Sequence, residues 1–338
     1  MRYLDFGSAN SPALNLALEE HLFSGRAADG AMLLCYVNTG AVVIGRNQLP
    51  WAEVSAGRLA REKLPLVRRV SGGGAVYHDP GNLNFSLFLK SAAAGRPDAA
   101  TILQPVIAAL RSLGLPARLS ERHAVFVDRY KVSGTAQYMT ADKIMTHGTL
   151  LVNADLDRLD RCLEPNPAFR ITSRGRPSVR SPVANLAGLR PGLTRVALVR
   201  ALRQAFADVY GPITRESPCS EDLAAARRLA AAKYRTWRWN SGRSPACTLE
   251  GEGEFEGRAY RFRLHAARGV IRTVEVGGPD GRASRWQRWA AKWLKGRRLG
   301  TGLPDVDQLA AAGLLEKPGA GAFHRWLKDR LPAALPLP

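Results

Sequence analysis

Residues 68–82 read RRVSGGGAVYHDPGN, two arginines followed, after Val70 and Ser71, by three consecutive glycines. Glycine runs are costly in regular elements, and their use is to let backbone approach a partner closely. Beside Arg68 and Arg69, the bare N–H groups of Gly72, Gly73 and Gly74 can donate to phosphate or carboxylate while guanidinium forks clamp it. The segment is no Walker A loop, because no Gly-Lys-Ser/Thr follows. Nor is it a dinucleotide fingerprint, because Ala75-Val76-Tyr77-His78 continues as a strand pattern rather than a helix start. The plain alternative is a hairpin loop with two surface arginines. A second segment, KVSGTAQ at 131–137, puts Lys131 beside the small residues Ser133 and Gly134, where it could reach a ligand anion. HGTLLVNADL follows at 147–156. Taken singly, Lys131 reads as a solvated cation and His147 as a hydrogen-bonded structural histidine.

Elements that could position these residues are legible around them. Asn10-Ser11-Pro12 offers a helix start, and Leu14, Leu18 and Leu22 recur at i, i+4 and i+8. Two strands are expected at Met32–Val37 and Ala41–Gly45 with Asn38-Thr39-Gly40 as the turn. Further strands are expected at Leu66–Val70, Leu83–Leu89 and Thr149–Val152, and a hairpin arm at Ala124–Val127 and Lys131–Gly134. Residues 101–113 have helical period, and so do stretches near 194–209 and 220–233. Asn166–Val183, rich in Pro, Gly, Arg and Ser, reads as a long loop. Trp239–Pro245 has linker chemistry. After it come a hairpin-like stretch, Thr248–Gly277, and two or three helices. The chain therefore divides into residues 1–240 and a smaller unit, 248–338, and its 338 residues exceed what one core usually organises. Strands and helices mix without regular βαβ alternation, which points to an α+β fold.

Lys and Arg outnumber Asp and Glu, 49 to 29, which favours anionic partners without choosing among them. No helix-turn-helix, RNA-binding signature or zinc finger accompanies that charge, so a nucleic-acid partner is not expected. Cys35, Cys162, Cys219 and Cys247 are widely and irregularly spaced, matching neither a metal site nor a disulfide framework. No apolar run approaches the roughly 20 residues that span a bilayer. A cytoplasmic monomer is expected, with no membrane partner and no metal site of the protein's own.

RRVSGGGAVYHD, then KVSGTAQ, HGTLLVNADL and SVRSPVANL at 178–186, in that order and spacing, resemble the lipoate–protein ligase A family and its lipoyltransferase relatives. NLALEE at 15–20, VVIGRNQ at 42–48 and TWRWNSGRSPA at 236–246 extend the resemblance over essentially the whole chain. It implies a class II synthetase-like biotin/lipoate ligase catalytic domain followed by a small α+β accessory domain. It implies ATP and lipoate as substrates, with Mg2+, and an acyl-adenylate intermediate. Acceptors would be apo lipoyl-domain proteins: 2-oxoacid dehydrogenase E2 subunits, the glycine-cleavage H protein or a related protein. By motif, nucleotide contacts fall on Arg69 and the loop from Gly72 through Gly74, Ala75, Val76 and Tyr77. Lys131 would contact both lipoate and nucleotide, His147 the lipoate, and Arg180 would lie in an adenylate loop spanning Arg170–Val183. One departure stands out. Where family members carry Arg-Asn-Asp before the lysine segment, this chain has Arg122-His123-Ala124. The missing acid keeps open a lipoyltransferase that starts from preformed lipoyl-AMP. Acyl transfer through a cysteine such as Cys162 is the remaining alternative of this fold.

Overall fold

A computed structural model describes residues 1–25, 30–90, 97–165, 169–278, 282–300, 320–328, 331 and 335–338. A six-stranded mixed sheet forms the centre of the catalytic portion. Its strands are β1 (Arg2–Asn10), β2 (Met32–Asn38), β6 (Asn82–Lys90), β10 (Thr135–Met139), β11 (Lys143–Leu151) and β13 (Thr214–Glu216), in the order β10-β11-β6-β2-β1-β13. Helices cover both faces. Leu33, Cys35, Leu83, Phe85 and Leu87 pack under α3 (Ala99–Ser112) and α6 (Arg195–Tyr210). Met32, Leu34, Tyr36 and Phe88 pack under α1 (Pro12–Ser24) and the neighbouring α7 (Ser220–Leu229). All seven residues of β2 are buried, which explains its continuous apolar run: successive side chains enter two different cores.

β3 (Ala41–Ile44) is not the hairpin partner of β2. It lies at the centre of a separate three-stranded sheet, between β4 (Leu66–Arg68) and β5 (Val76–His78). Alternation again gives the reason: Val43 and Val67 join the α1 core, while Val42, Ile44 and Leu66 join a third core on the opposite side. β4 runs parallel and β5 antiparallel to β3, so residues 69–75 must cross over the end of β3 to connect them. A Cβ on Gly45, just past β3, would lie 2.2 Å from the Gly73 carbonyl oxygen, so that crossing requires a glycine below it.

The third core belongs largely to the C-terminal portion. β14 (Cys247–Phe255), β15 (Arg258–Ala267) and β16 (Val270–Gly277) form an antiparallel meander rather than a single hairpin. Leu249, Phe262 and Leu264 pack in one cluster with Val42, Ile44 and Trp51. The stretch expected to be one long loop contains β12 (Arg170–Ser173), which pairs with β14 as the edge strand of this sheet. The beginning of that stretch, from Asn166, lies outside the described residues. Within α9 (Arg282–Leu294), Trp286 is buried and stacks on Phe323 at 4.5 Å, while Arg288 and Lys292 are exposed. The side chain of Arg285, one turn before, lies outside the described residues. No described helix is long and apolar enough to cross a membrane.

Candidate active site

The two arginines before the glycines do not present free guanidinium groups. Arg68 is fully buried and its guanidinium is bonded to backbone carbonyls. Its Nη1 donates to the carbonyls of Gly45, Arg46 and Gln48 at 2.7–3.0 Å, and Nη2 donates to Asn240 O at 2.7 Å. Burial, reinforced by Arg243 and Arg69, pushes its guanidinium down to about 9. Arg68 thus joins the glycine-loop sheet to the residues preceding the C-terminal sheet. Arg69 donates to Gly72 O (2.6 Å) and Gly74 O (2.8 Å) through Nη2, and to Ser71 Oγ (3.0 Å) through Nε. Burial lowers it to about 10, opposed by the charge of Glu19.

This clamp has a chemical consequence. In a trans peptide the N–H lies opposite the C=O. Drawing the Gly74 carbonyl onto Arg69 therefore aims the Ala75 N–H away from it, toward the cavity. Arg69 shapes the loop and is not itself presented to the cavity. The glycines are not equivalent. Gly73 sits at φ +85°, and a Cβ there would come within 2.7 Å of Arg69 Nη2; a Cβ on Gly74 would lie 3.0 Å from Ser178 Oγ; one on Gly72 would meet nothing within 4 Å.

His147 lies behind the loop and is not among the residues lining the cavity described below. Its Nε2 is 2.6 Å from Ser71 Oγ and its Nδ1 is 2.8 Å from Glu19 Oε1. Ser86 also donates to Glu19, and Tyr36 OH does so at 3.4 Å. His147 and Glu19 thus form a buried polar pair supporting Ser71 and, through it, Arg69. Glu19 was visible in sequence only as a helix residue, yet Asn15 and Glu19 at i and i+4 form a polar ridge on an otherwise buried helix. A polar ridge on a buried helix is the signal of an internal network. Beside it, Asn38 Nδ2 lies 2.7 Å from His78 Nδ1, and burial pushes His78 down to about 3, helped by Arg69 and His147.

A cavity of about 280 Å³ opens in front of the loop. Ala75, Val76 and Tyr77 line one wall, and Lys131, Ser133, Gly134 and Thr149 line the floor beside it. Pro177–Ser181 and Val183 form the facing wall, with Arg180 among them. Lys131 belongs to β9 (Tyr130–Ser133), and its backbone holds that facing wall: Lys131 N donates to Pro182 O at 2.8 Å, and Lys131 O accepts from Ala184 N at 3.3 Å. Burial lowers the Lys131 ammonium from its usual value, and the nearby charge of Arg69 adds to the shift. A cation held in this way is suited to an anionic ligand, which would offset both effects. Arg180 is exposed and donates to Leu163 O at 2.7 Å.

Three further residues complete the site: Gln48 and Ser178, which end and begin the motifs at 42–48 and 178–186, and Glu53, which belongs to none. Ser178 Oγ accepts from the Ala75 N–H at 2.8 Å and from Gln48 Nε2 at 3.0 Å, and it donates to Glu53 Oε2 at 2.5 Å. The aimed amide, the hydroxyl and the carboxylate therefore link the two walls. Ala124 is not among the residues lining this cavity, although the next residue, Val125, pairs with Ser133 of its floor; the Ala124 N–H donates to Ser120 Oγ at 3.1 Å. Cys162 is buried and its thiol is raised by burial, unlike a reactive thiolate. Among the described residues no group of three or more His, Cys, Asp or Glu could hold a metal ion.

Residues 11–207 match the lipoyl protein ligase A/B catalytic domain family. The chain is 33% identical over 280 residues to lipoate–protein ligase 1 of Staphylococcus aureus, covering 82% of this chain and 84% of that protein. A crystal structure of lipoate-protein ligase A bound with ATP superposes with a TM-score of 0.61 at 27% identity, over 71% of this chain and 97% of that one. The bi-partite lipoate protein ligase of Thermoplasma acidophilum, studied with its E2 lipoyl domain, gives the same TM-score and identity over 71% and 95%. With its α+β catalytic fold, its clamped glycine loop and its cavity lysine, the chain belongs to the lipoyl protein ligase A/B family.

Proposed function

We propose that this enzyme is a lipoate–protein ligase that activates lipoate with ATP and transfers the lipoyl group to a lysine of an apo lipoyl-domain protein. The observation that carries the reading is the position of Lys131, in a cavity between a glycine loop with an outward-aimed amide and a facing segment of the right family motif. In the first step a lipoate carboxylate oxygen attacks the α-phosphorus of ATP. A P–O bond forms, the bond to pyrophosphate breaks, and pyrophosphate leaves. Lys131 stands between the two anions and offsets their repulsion in the transition state. In the second step the acceptor amine attacks the acyl carbon and the bond to AMP breaks. The nitrogen gives up its proton and the Lys131 ammonium stabilises the oxyanion. The adenylate is water-sensitive, so the facing wall must cover it.

Mg2+ fits as a partner of ATP rather than of a protein cage. Asp160 lines the cavity, and such a cation is held mainly by substrate phosphates with one or two carboxylates. We assign residues 1–240 to catalysis and 248–338 to an accessory unit that carries the facing wall's strand β12 on its own sheet. On this reading the acceptors are E2 subunits, H protein or a related lipoyl-domain protein, and the protein acts as a cytoplasmic monomer. The missing acid at Ala124 favours one second reading, a transferase fed with preformed lipoyl-AMP. Lipoate-dependent ATP–pyrophosphate exchange separates them. The ligase gives a robust signal that Lys131→Ala removes; transfer from synthetic lipoyl-AMP without exchange establishes the transferase instead.

A further inference from the structure

Glu53 is an unexpected lining residue for a cavity that receives a carboxylate and a triphosphate. Its charge opposes both ligands, and burial raises its carboxyl above the usual range. It is only 5% exposed and sits just after the short 3-10 turn Pro50–Ala52. Its Oε2 accepts from Ser178 twice, from the backbone N at 3.2 Å and from Oγ at 2.5 Å. A hydroxyl has one proton, so donation to Glu53 leaves the Ser178 oxygen to accept from Ala75 N–H and Gln48 Nε2. An ionised carboxylate only accepts, and it therefore fixes the direction of the whole chain. Gln48 adds a bond to Arg176 O at 3.3 Å and is itself held by Gly45 N at 2.9 Å. The result is a strut from Glu53 through Ser178 to the glycine loop, spanning the cavity edge.

We propose that Glu53 is a positioning residue of the ligase reaction: through Ser178 it holds the 176–181 segment on the glycine loop and keeps water from the acyl-adenylate. The proposal rests on the lipoyl-adenylate reading above. It makes Glu53 act on the segment and not on the substrate, which explains why a negative charge is kept at this place.

The full-length enzyme, incubated with lipoate and Mg-ATP, is assayed for AMP released and for lipoyl groups delivered to an apo lipoyl domain. Glu53→Ala and Ser178→Ala each raise acceptor-free AMP release on the order of tenfold, as loss of a charged hydrogen bond would. The double variant leaks no more than either single one, because both break the same strut. Glu53→Gln recovers part of the loss, since its amide oxygen still accepts from Ser178. Unchanged leakage in both single variants, or effects that multiply in the double variant, overturns the proposal. So does a raised KM for ATP in Glu53→Ala with Ser178→Ala silent, which would make Glu53 a direct ligand contact. A second readout needs no activity. Trypsin cuts after Arg174 or Arg180 on the order of tenfold faster in both single variants, whose melting curves stay cooperative. Equal cutting rates contradict the strut even if wild-type enzyme shows no pyrophosphate exchange, a result that would remove the ligase reading itself.

Discussion

Arg69 lies behind one wall of the cavity and Arg180 stands on the facing wall, and their surroundings differ in kind. Arg69 is 6% exposed, and its guanidinium is consumed by Ser71, Gly72 and Gly74. Arg180 is exposed and is held by a bond to the Leu163 carbonyl. The glycine-loop wall rests on a three-stranded sheet, two buried arginines and the Glu19–His147 pair. The facing wall hangs between β12 of the C-terminal sheet and the backbone of Lys131, and it closes through Ser178. One wall is organised before any ligand arrives. The other is held by a few bonds that can be exchanged, as expected where an adenylate must enter, stay dry and then meet an acceptor.

Lys131 offers the largest test of this contrast, because its side chain faces the cavity, where we propose that it serves chemistry, while its backbone holds the facing wall. Lys131→Ala removes only the first. Adenylation should fall roughly 10²–10³-fold, about 2–4 kcal/mol, with the melting temperature unchanged. Near-native lipoylation by this variant would take Lys131 out of the mechanism.

Acid should act next, and on the organised wall. The folded His78 titrates near 3 against an ordinary 6.5, so the unfolded chain binds the proton first. The stability from neutral His78 is complete above pH 6.5 and is lost as pH falls toward 3, at roughly 1.4 kcal/mol per pH unit. Chemical denaturation between pH 7 and 5 should show this slope, flattened in His78→Asn. An equally steep slope in the variant would place the acid sensitivity elsewhere.

Neighbouring glycines then sharpen the comparison within one loop. Gly73→Ala meets Arg69 and a left-handed backbone, and should cost about 1–2 kcal/mol together with nucleotide affinity. Gly72→Ala should stay within about 0.5 kcal/mol. Calorimetry that cannot tell the two variants apart would mean that the loop is not clamped as described.

The smallest effect concerns the exposed Arg288 and Lys292 on α9. Replacing both by Glu should raise the KM for an acidic acceptor at low salt and leave adenylation alone. The difference should fade near 0.1 M salt, where screening acts over about 10 Å. Identical acceptor kinetics across a salt series would reduce this face to a solubilising role.

Much of this was legible in the chain. The stripe of Leu18 and Leu22, the run at 32–38 and the period of residues 101–113 lie where their patterns put them, because local periodicity reports which faces are buried. The motif residues Ala75, Val76, Tyr77, Lys131 and Arg180 line one cavity. What the sequence hides is direction. Arg68 and Arg69 look like free anion clamps until carbonyls as distant as that of Asn240 are seen to occupy them. His147 similarly turns away from the cavity toward a carboxylate on α1. The residues from Met32 to Ile44 look like one hairpin because alternation reveals that two faces are buried, but not that the partners belong to different sheets. Ser178 is only the first residue of the motif at 178–186 and Glu53 belongs to no motif: their roles arise only when residues far apart in sequence meet across the cavity.

The most direct test of the account follows an apo lipoyl domain by intact mass. The enzyme, lipoate and Mg-ATP together should add one lipoyl group to a single lysine of the acceptor. Omitting ATP, or supplying Lys131→Ala, should leave the acceptor unmodified. Modification that proceeds without ATP, or an acceptor that stays unmodified unless lipoyl-AMP is supplied, would contradict ATP-dependent ligation at this site.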